Sequence, residues 1–223
     1  MRTAALAGLK RMKLVETVAD HLREALALGG VSDNHFLRCL HNLAFGMGWI
    51  PAPIIPPKLW PIPNYRQKRA ISREEHLRII NAERNQERRS FYQLLWEIGA
   101  AQSDAAVLTS ANIDWENRVL TYQRKKTGEW ASIQIGKRLE SLLRTLPKHG
   151  VLFPRMSHIN AGERSGDFWR RCKVAKVSGV SLHSYRYAWA QRARANGYPI
   201  RWAQNALGHS SRAVHLGYPF LFF

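Results

Sequence analysis

Cysteine is nearly absent: Cys39 and Cys172 are the only two, far apart and without metal-ligand spacing. That leaves no zinc site to read, and reduced thiols in a cytosol are the expectation. No Walker loop and no dinucleotide fingerprint occurs, so no metal, nucleotide or other cofactor is expected. Long apolar runs are missing too. A membrane span needs roughly 20 apolar residues in succession, and charges interrupt every such stretch. The opening, MRTAALAGLKRMKLVETVADHL, is basic but has no apolar block followed by a small-residue cleavage site. No signal peptide is expected from it, and a cytoplasmic protein is. Acidic residues are also scarce, with 16 Asp and Glu against 34 Lys and Arg, a formal net charge of +18. That self-repulsion does nothing for folding. It points to a polyanionic partner whose counterions are released as Lys and Arg neutralise phosphates, with nucleic acid first and an anionic membrane surface second.

What is present is enough for a packed protein. Hydrophobic residues make up 45% of 223, which suits one large domain or a domain and a half. Leu14, Val18, Leu22 and Ala25 fall at helical spacing, which predicts a helix over 13–28 ended by Gly29-Gly30. Ser32 or Asp33 can cap a second helix with the stripe Phe36, Leu37, Leu40, Leu43, Ala44 and Met47. Six of the ten prolines then lie between Pro51 and Pro63, which predicts an extended, unpaired linker over 51–65. Arg66, Lys68 and Arg69 follow it and could touch a phosphate backbone.

Beyond the linker the pattern is mostly helical. Ser72-Arg-Glu-Glu75 reads as a capping box. A helix near 87–98 should bury Phe91, Leu94, Leu95 and Ile98 and stop at Gly99, with 103–108 helical again. Residues 118–124 and 130–135 are β-prone, with Thr127-Gly128 as a hairpin turn between them. Helices are predicted over 137–146, 166–177, 182–195 and 200–207. The fold class read here is α+β and mostly α.

The C-terminal third carries the chemistry. His183 and Arg186 are three apart, Gly208-His209 follows a short apolar helix, and Tyr218 comes nine residues later. A planar guanidinium grips two phosphate oxygens at once. An imidazole can donate to a phosphate oxygen or exchange a proton near neutral pH. A phenol becomes a nucleophile once cationic surroundings or a base activate it. Singly, each residue has a packing explanation; the set in this order is suited to phosphoryl transfer.

The order and gaps resemble the catalytic domain of tyrosine recombinases, the phage integrase family. The matching residues read His183-Ser-Tyr-Arg186, Leu207-Gly208-His209 and Tyr218, and the resemblance covers roughly 66–218. Gln123-Arg-Lys-Lys126-Thr-Gly128 looks like the hairpin that carries the family's catalytic lysine, with Lys126 the match. The resemblance implies a helical catalytic domain over 66–223 with a small three-stranded antiparallel sheet. Residues 1–50 look like part of the family's helical DNA-clamping, core-binding region. It implies DNA integration or recombination of a mobile element: Tyr218 attacks a DNA phosphate and forms a 3′-phosphotyrosyl link, while His183, Arg186, His209 and Lys126 assist. Arg124 and Lys125 beside the hairpin lysine, with Arg66, Lys68 and Arg69, are the expected DNA contacts. Double-stranded DNA is the implied partner, a homotetramer on DNA is allowed, and the nucleoid is the implied place of action.

The sequence departs from the family at one catalytic position. The family's first catalytic arginine stands in a T-G-x-R-x-S-E stretch; here Ile98-Gly99-Ala100-Ala101-Gln102-Ser103-Asp104 puts Ala101 there. Gly99, Ser103 and Asp104 keep the frame. Removing one donor from such a preorganised site costs about 10²–10³ in rate. Arg73, Arg84 and Arg124 are the cations available to replace it. The alternative is a catalytically impaired relative that holds DNA without cutting it, and a helix-turn-helix regulator around 200–207 is a third reading. Only Pro-Phe-Leu-Phe-Phe follows Tyr218, and the 60 residues before the linker ends are few for a clamping domain, so a fragment or a frameshifted product fits these ends.

Overall fold

The computed structural model describes residues 4–63 and 69–207. The chain divides into two compact units, Met1–Gln67 and Lys68–Phe223. Each has its own cluster of buried apolar side chains.

In the first unit, short 3-10 turns precede α1 (Ala19–Leu28) and α2 (Val31–Gly46). The continuous helix expected from residue 13 does not form. Thr17 and Val18 are extended, with ψ of 125° and 168°. The Thr17 hydroxyl donates to the Lys13 carbonyl at 3.1 Å, the kind of local bond that competes with a helix. The stripe expected on α2 holds at only two of its six positions. Leu37 and Ala44 are buried, but Phe36, Leu40, Leu43 and Met47 are exposed. Asn34 and His41 complete the buried face, because each finds a partner inside. Asn34 Oδ1 accepts from the Trp60 indole at 3.1 Å and its Nδ2 donates to Pro61 O at 2.9 Å. The Ile55 amide donates to His41 Nε2 at 3.4 Å. These partners come from the proline-rich stretch, which is therefore packed rather than free. It makes a 3-10 turn at Pro57–Leu59 and buries Ile55 and Trp60. The prolines forbid ladder bonds, but they do not stop the interspersed Ile and Trp from burying apolar area.

The second unit is helical around one small sheet. α3 (Arg73–Ala82) opens on the predicted capping box: Ser72 Oγ accepts from the Glu75 amide at 3.2 Å, and the Glu75 carboxylate accepts from the Ser72 amide at 3.0 Å. α4 (Gln86–Ile98) buries Phe91, Leu94, Leu95 and Ile98 as its periodicity requires, and Tyr92 with them. Gly99 ends it at φ 62°, where an added Cβ would lie 2.7 Å from Trp189 Cβ and 2.9 Å from Leu207 Cδ2, so both backbone and space demand glycine.

After α5 (Gln102–Ala105) comes an antiparallel sheet in the order β1 (Ile113–Asp114), β2 (Val119–Gln123), β3 (Trp130–Gln134). Leu120 pairs with Ile133 and Tyr122 with Ala131, and these four side chains form the buried face. β1 is too short for a periodic signal in the sequence. Among the described residues five helices follow: α6 (Lys137–Leu143), α7 (Pro154–His158), α8 (Ala161–Val174), α9 (Ser184–Ala195) and α10 (Ile200–Leu207). α8 starts five residues before its prediction, at an Asn160 cap that accepts from the Glu163 amide at 3.0 Å. Gly162 and Gly166, poor helix formers, hid that start. α4 packs against α3, α6, α7 and α9, and α10 against β3. Among the described residues, no helix is long and apolar enough to cross a membrane.

Candidate active site

The C-terminal end of α4 organises the site. The last carbonyls of a helix have no partner within it and carry its negative dipole end. Here α9 supplies donors to them turn by turn. Arg192 donates to Trp96 O, Trp189 Nε1 to Glu97 O at 2.9 Å, and Arg186 to Gly99 O at 3.1 Å. Arg192 also lies 3.7 Å over the Trp96 ring. Behind this seam the His76 ring stacks on Trp96 at 4.4 Å and meets the Tyr185 hydroxyl at 3.3 Å. Burial first, and the Arg192 charge second, drive the His76 imidazole down to about 3, so it serves as a neutral packing ring. α9 is thereby clamped at three successive levels, and Arg186 is fixed with it.

Arg186 is 1% exposed, the largest of the fully buried side chains described. Besides Gly99 O it donates to Leu207 O at 2.5 Å, so it joins the ends of α4 and α10. His183 stands at the N-cap of α9, exposed, with its ring edge-on to Tyr187 at 5.0 Å. The pair therefore straddles the start of α9, one member inside and one at the surface. Leu207 is the last described residue of α10; His209 and Tyr218 lie outside the described residues, as do Arg66 and Lys68.

The segment from Gly99 to Asp104 forms the next wall. Ala101 is the N-cap of α5, and its carbonyl accepts from the Asp104 and Ala105 amides at 3.0 Å each. Gln102 turns toward α8: its Oε1 accepts from Arg164 at 3.2 Å and its Nε2 donates to Ser165 at 3.1 Å. It does not replace the missing arginine. Asp104 is buried and faces the hairpin. Its Oδ1 accepts from the Lys125 amide at 3.2 Å, and its Oδ2 lies 3.8 Å from Arg124 Nε.

The hairpin turn is closed by Arg124 N donating to Glu129 O and Gly128 N to Arg124 O, both at 2.8 Å, with Gly128 at φ 71°. Lys125 and Lys126 are exposed at its tip. Arg124, expected among the DNA contacts and as one candidate for the Ala101 role, has a side chain only 11% exposed that lies against Asp104. Arg69, expected at a phosphate backbone, spends its fork on Glu75 with two bonds of 2.7 Å and also donates to Ala70 O and Ser178 O. Of the other cations weighed for the Ala101 role, Arg73 and Arg84 are exposed. Arg84 precedes α4, whose 13 residues put about 20 Å of helix between it and Gly99.

Sequence reasoning missed Tyr122 and the Asp104–Arg124 contact. Tyr122 is buried on the inner face of β2, and among the described residues its hydroxyl has no hydrogen-bond partner. Burial pushes this phenol upward, against the opposing pull of the Arg186 and Arg124 charges. Strand alternation was the available signal: Leu120 and Tyr122 are two apart and share the buried face of β2, and continuing that alternation one step reaches Arg124. Among the described residues, no cluster of three or more His, Cys, Asp or Glu could hold a metal ion. Cys172 is no reactive centre, since burial raises its thiol to about 12.

The family model of the phage integrases matches residues 69–218. No curated protein sequence matches the chain. Among solved structures, a lambda integrase dimer bound to a COC′ core site superposes with a TM-score of 0.79 at 18% identity, covering 95% of this chain and 67% of that one. The Tn1549 transposon integrase in complex with a circular intermediate DNA gives 0.72 at 15% identity, covering 93% and 82%. The catalytic domain of bacteriophage HP1 integrase gives 0.56 at 22% identity, covering 68% and 87%. These likenesses establish a shared fold.

Proposed function

The chain belongs to the phage integrase family, and on that premise we propose that it binds double-stranded DNA and breaks and rejoins its strands through Tyr218. The observation that carries this reading is the seating of Arg186: a guanidinium that is 1% exposed, locked at the junction of α4 and α10. A rigid guanidinium of this kind stabilises charge that builds on the non-bridging oxygens of a transferring phosphoryl group. Tyr218 attacks the phosphorus, the 5′-oxygen leaves, and a 3′-phosphotyrosyl link forms. His183, exposed beside Arg186, assists proton transfer at the tyrosine. Lys126 at the hairpin tip gives its proton to the departing 5′-oxygen, and His209 hydrogen-bonds the phosphate. A 5′-hydroxyl from another strand reverses the step. The covalent link conserves the phosphodiester energy, so the cycle consumes no nucleotide and calls on no metal.

The remaining assignments follow the same reading. Residues 1–50 serve as a DNA-clamping region, with 51–65 as the joint to a catalytic domain over 66–223, and the nucleoid of the cytoplasm is where the protein acts. Lambda integrase has been solved as a tetramer bound to a Holliday junction, and four copies of this chain on DNA is the corresponding assembly. A second reading, a relative that holds DNA without cutting it, is favoured by one observation: Ala101 brings no cation to its position.

Two measurements test the proposal. Affinity for duplex DNA should fall steeply with salt, the slope of log K against log salt being about −0.9 per phosphate neutralised. A duplex nicked close to the cleavage point, which loses its short leaving strand and cannot be resealed, should accumulate a protein–DNA adduct that survives denaturing electrophoresis. Salt-sensitive binding without any adduct supports the second reading, and salt-independent or absent binding overturns both.

A further inference from the structure

We propose that Arg124 supplies the second phosphate-binding guanidinium of this site, in place of the arginine that Ala101 replaces. The inference rests on the strand-cleavage reading above and adds a residue to it.

Four observations converge. The first is direction: Leu120 and Tyr122 alternate onto the buried face of β2, and Arg124, one residue past its end, is only 11% exposed while its neighbours Lys125 and Lys126 stay at the surface. The second is the anchor. Arg124 Nε lies 3.8 Å from Asp104 Oδ2, and the adjacent Lys125 amide donates to the other oxygen at 3.2 Å. At 3.8 Å the first contact is ionic attraction rather than a hydrogen bond. It orients the guanidinium, whose five donors in a planar fork can serve a carboxylate and a phosphate together. The third is distance from the vacated position. Asp104 follows Ala101 by three residues, and side chains so spaced on a helix have Cβ atoms about 5–6 Å apart. A guanidinium held at Asp104 thus sits within one helical turn of Ala101.

The fourth is the relation to Arg186. Arg186 is bonded at the Gly99 end of the segment 99–104 and Arg124 lies against its Asp104 end, so the two charges are tied to the two ends of the segment that holds Ala101. Both charges act on the same buried Tyr122 phenol, which makes no hydrogen bond among the described residues. Two guanidiniums tied to one short segment suit a tetrahedral anion, each facing a different non-bridging oxygen. Arg73 and Arg84 offer no such placement, being exposed on other elements. Arg124 also belongs to the turn that carries Lys126, so a phosphate gripped by Arg124 is presented to the lysine that protonates its leaving oxygen.

The test uses the full chain and a nicked duplex, comparing wild type, Arg124→Ala, Arg124→Lys, Ala101→Arg and the double variant Ala101→Arg/Arg124→Ala. Arg124→Ala should slow adduct formation by about 10²–10³, with Arg124→Lys intermediate, and Ala101→Arg should restore the rate in the Arg124→Ala background. A substrate with a methylphosphonate at the cleaved position has no charge on its non-bridging oxygen. It should therefore erase most of the Arg124→Ala defect, which a folding defect would not allow. Wild-type rates in Arg124→Ala, or a defect that the methylphosphonate leaves untouched, overturn the inference while cleavage itself stands. An adduct that appears only after Ala101→Arg overturns it as well, because no native cation then fills the role. No adduct in any variant ends the cleavage reading and this inference together.

Discussion

Arg186→Ala is expected to abolish measurable strand cleavage and to weaken the second unit at the same time. Loss of one preorganised donor to a transition-state oxyanion costs about 10²–10³ in rate. Here the same change also strips the buried Gly99 and Leu207 carbonyls of a donor. Each such orphaned group costs about 1–3 kcal/mol. The two effects separate with Arg186→Lys. An ammonium keeps the charge but cannot span both carbonyls with a planar fork, so stability should fall nearly as far while some cleavage returns. Urea denaturation reads the first and single-turnover adduct formation the second. Full stability in Arg186→Ala would show that α4 and α10 do not depend on this tie.

Glu83→Ala is expected to be the most destabilising single change away from the site, at about 3–5 kcal/mol. Glu83 is fully buried between α3 and α4. Its carboxylate accepts from Arg88 at 3.1 Å on both oxygens, from Arg171 at 3.1 Å and from the Asn85 amide at 2.8 Å, while its carbonyl accepts from Arg89. Removing it leaves Arg88 and Arg171, less than one-fifth exposed, facing each other without their anion; Asp167, 3.6 Å from Arg88, compensates in part. For a unit of this size the loss corresponds to a melting temperature lower by roughly 6–20 °C. The pH dependence carries a sign. Burial alone would raise the Glu83 carboxyl, but the Arg88 and Asn85 hydrogen bonds and the two arginine charges outweigh it and hold it below the ordinary 4.5. A lowered folded value means that the stabilisation is complete above that pH and is lost as pH falls through the folded value. Wild type should therefore shed stability in acid that Glu83→Ala has already lost, and the two denaturation midpoints should converge as pH falls through the lowered folded value of Glu83.

Local rules read much of this fold correctly, and long-range contacts explain the rest. The Ser72–Glu75 box, the α4 stripe ending at Gly99 and the hairpin at Gly128 each depend on residues within a few positions, and each is where the sequence puts it. Two readings failed where distant partners decide, and one contact went unseen. Asn34 and His41 displace Leu40 and Leu43 from the inner face of α2 because residues 55–61 bring them hydrogen bonds. Ile55 and Trp60 turn a proline-rich joint into part of a core. Arg124 turns inward toward Asp104, 20 positions earlier in the chain. In the site, the order His183, Arg186, His209, Tyr218 was visible because it is a spacing. The capping of α4 carbonyls by Arg186, Trp189 and Arg192 was not, since those acceptors are backbone atoms that no motif records.

The most direct test of the central claim is to find the residue that becomes joined to DNA. The full chain is incubated with a nicked duplex, the adduct is isolated under denaturing conditions, and the digested peptides are sequenced by mass spectrometry. The account predicts a nucleotide attached through its 3′-phosphate to Tyr218, and no adduct from Tyr218→Phe at undiminished DNA binding. A nucleotide on any other side chain, or an adduct that persists in Tyr218→Phe, contradicts it.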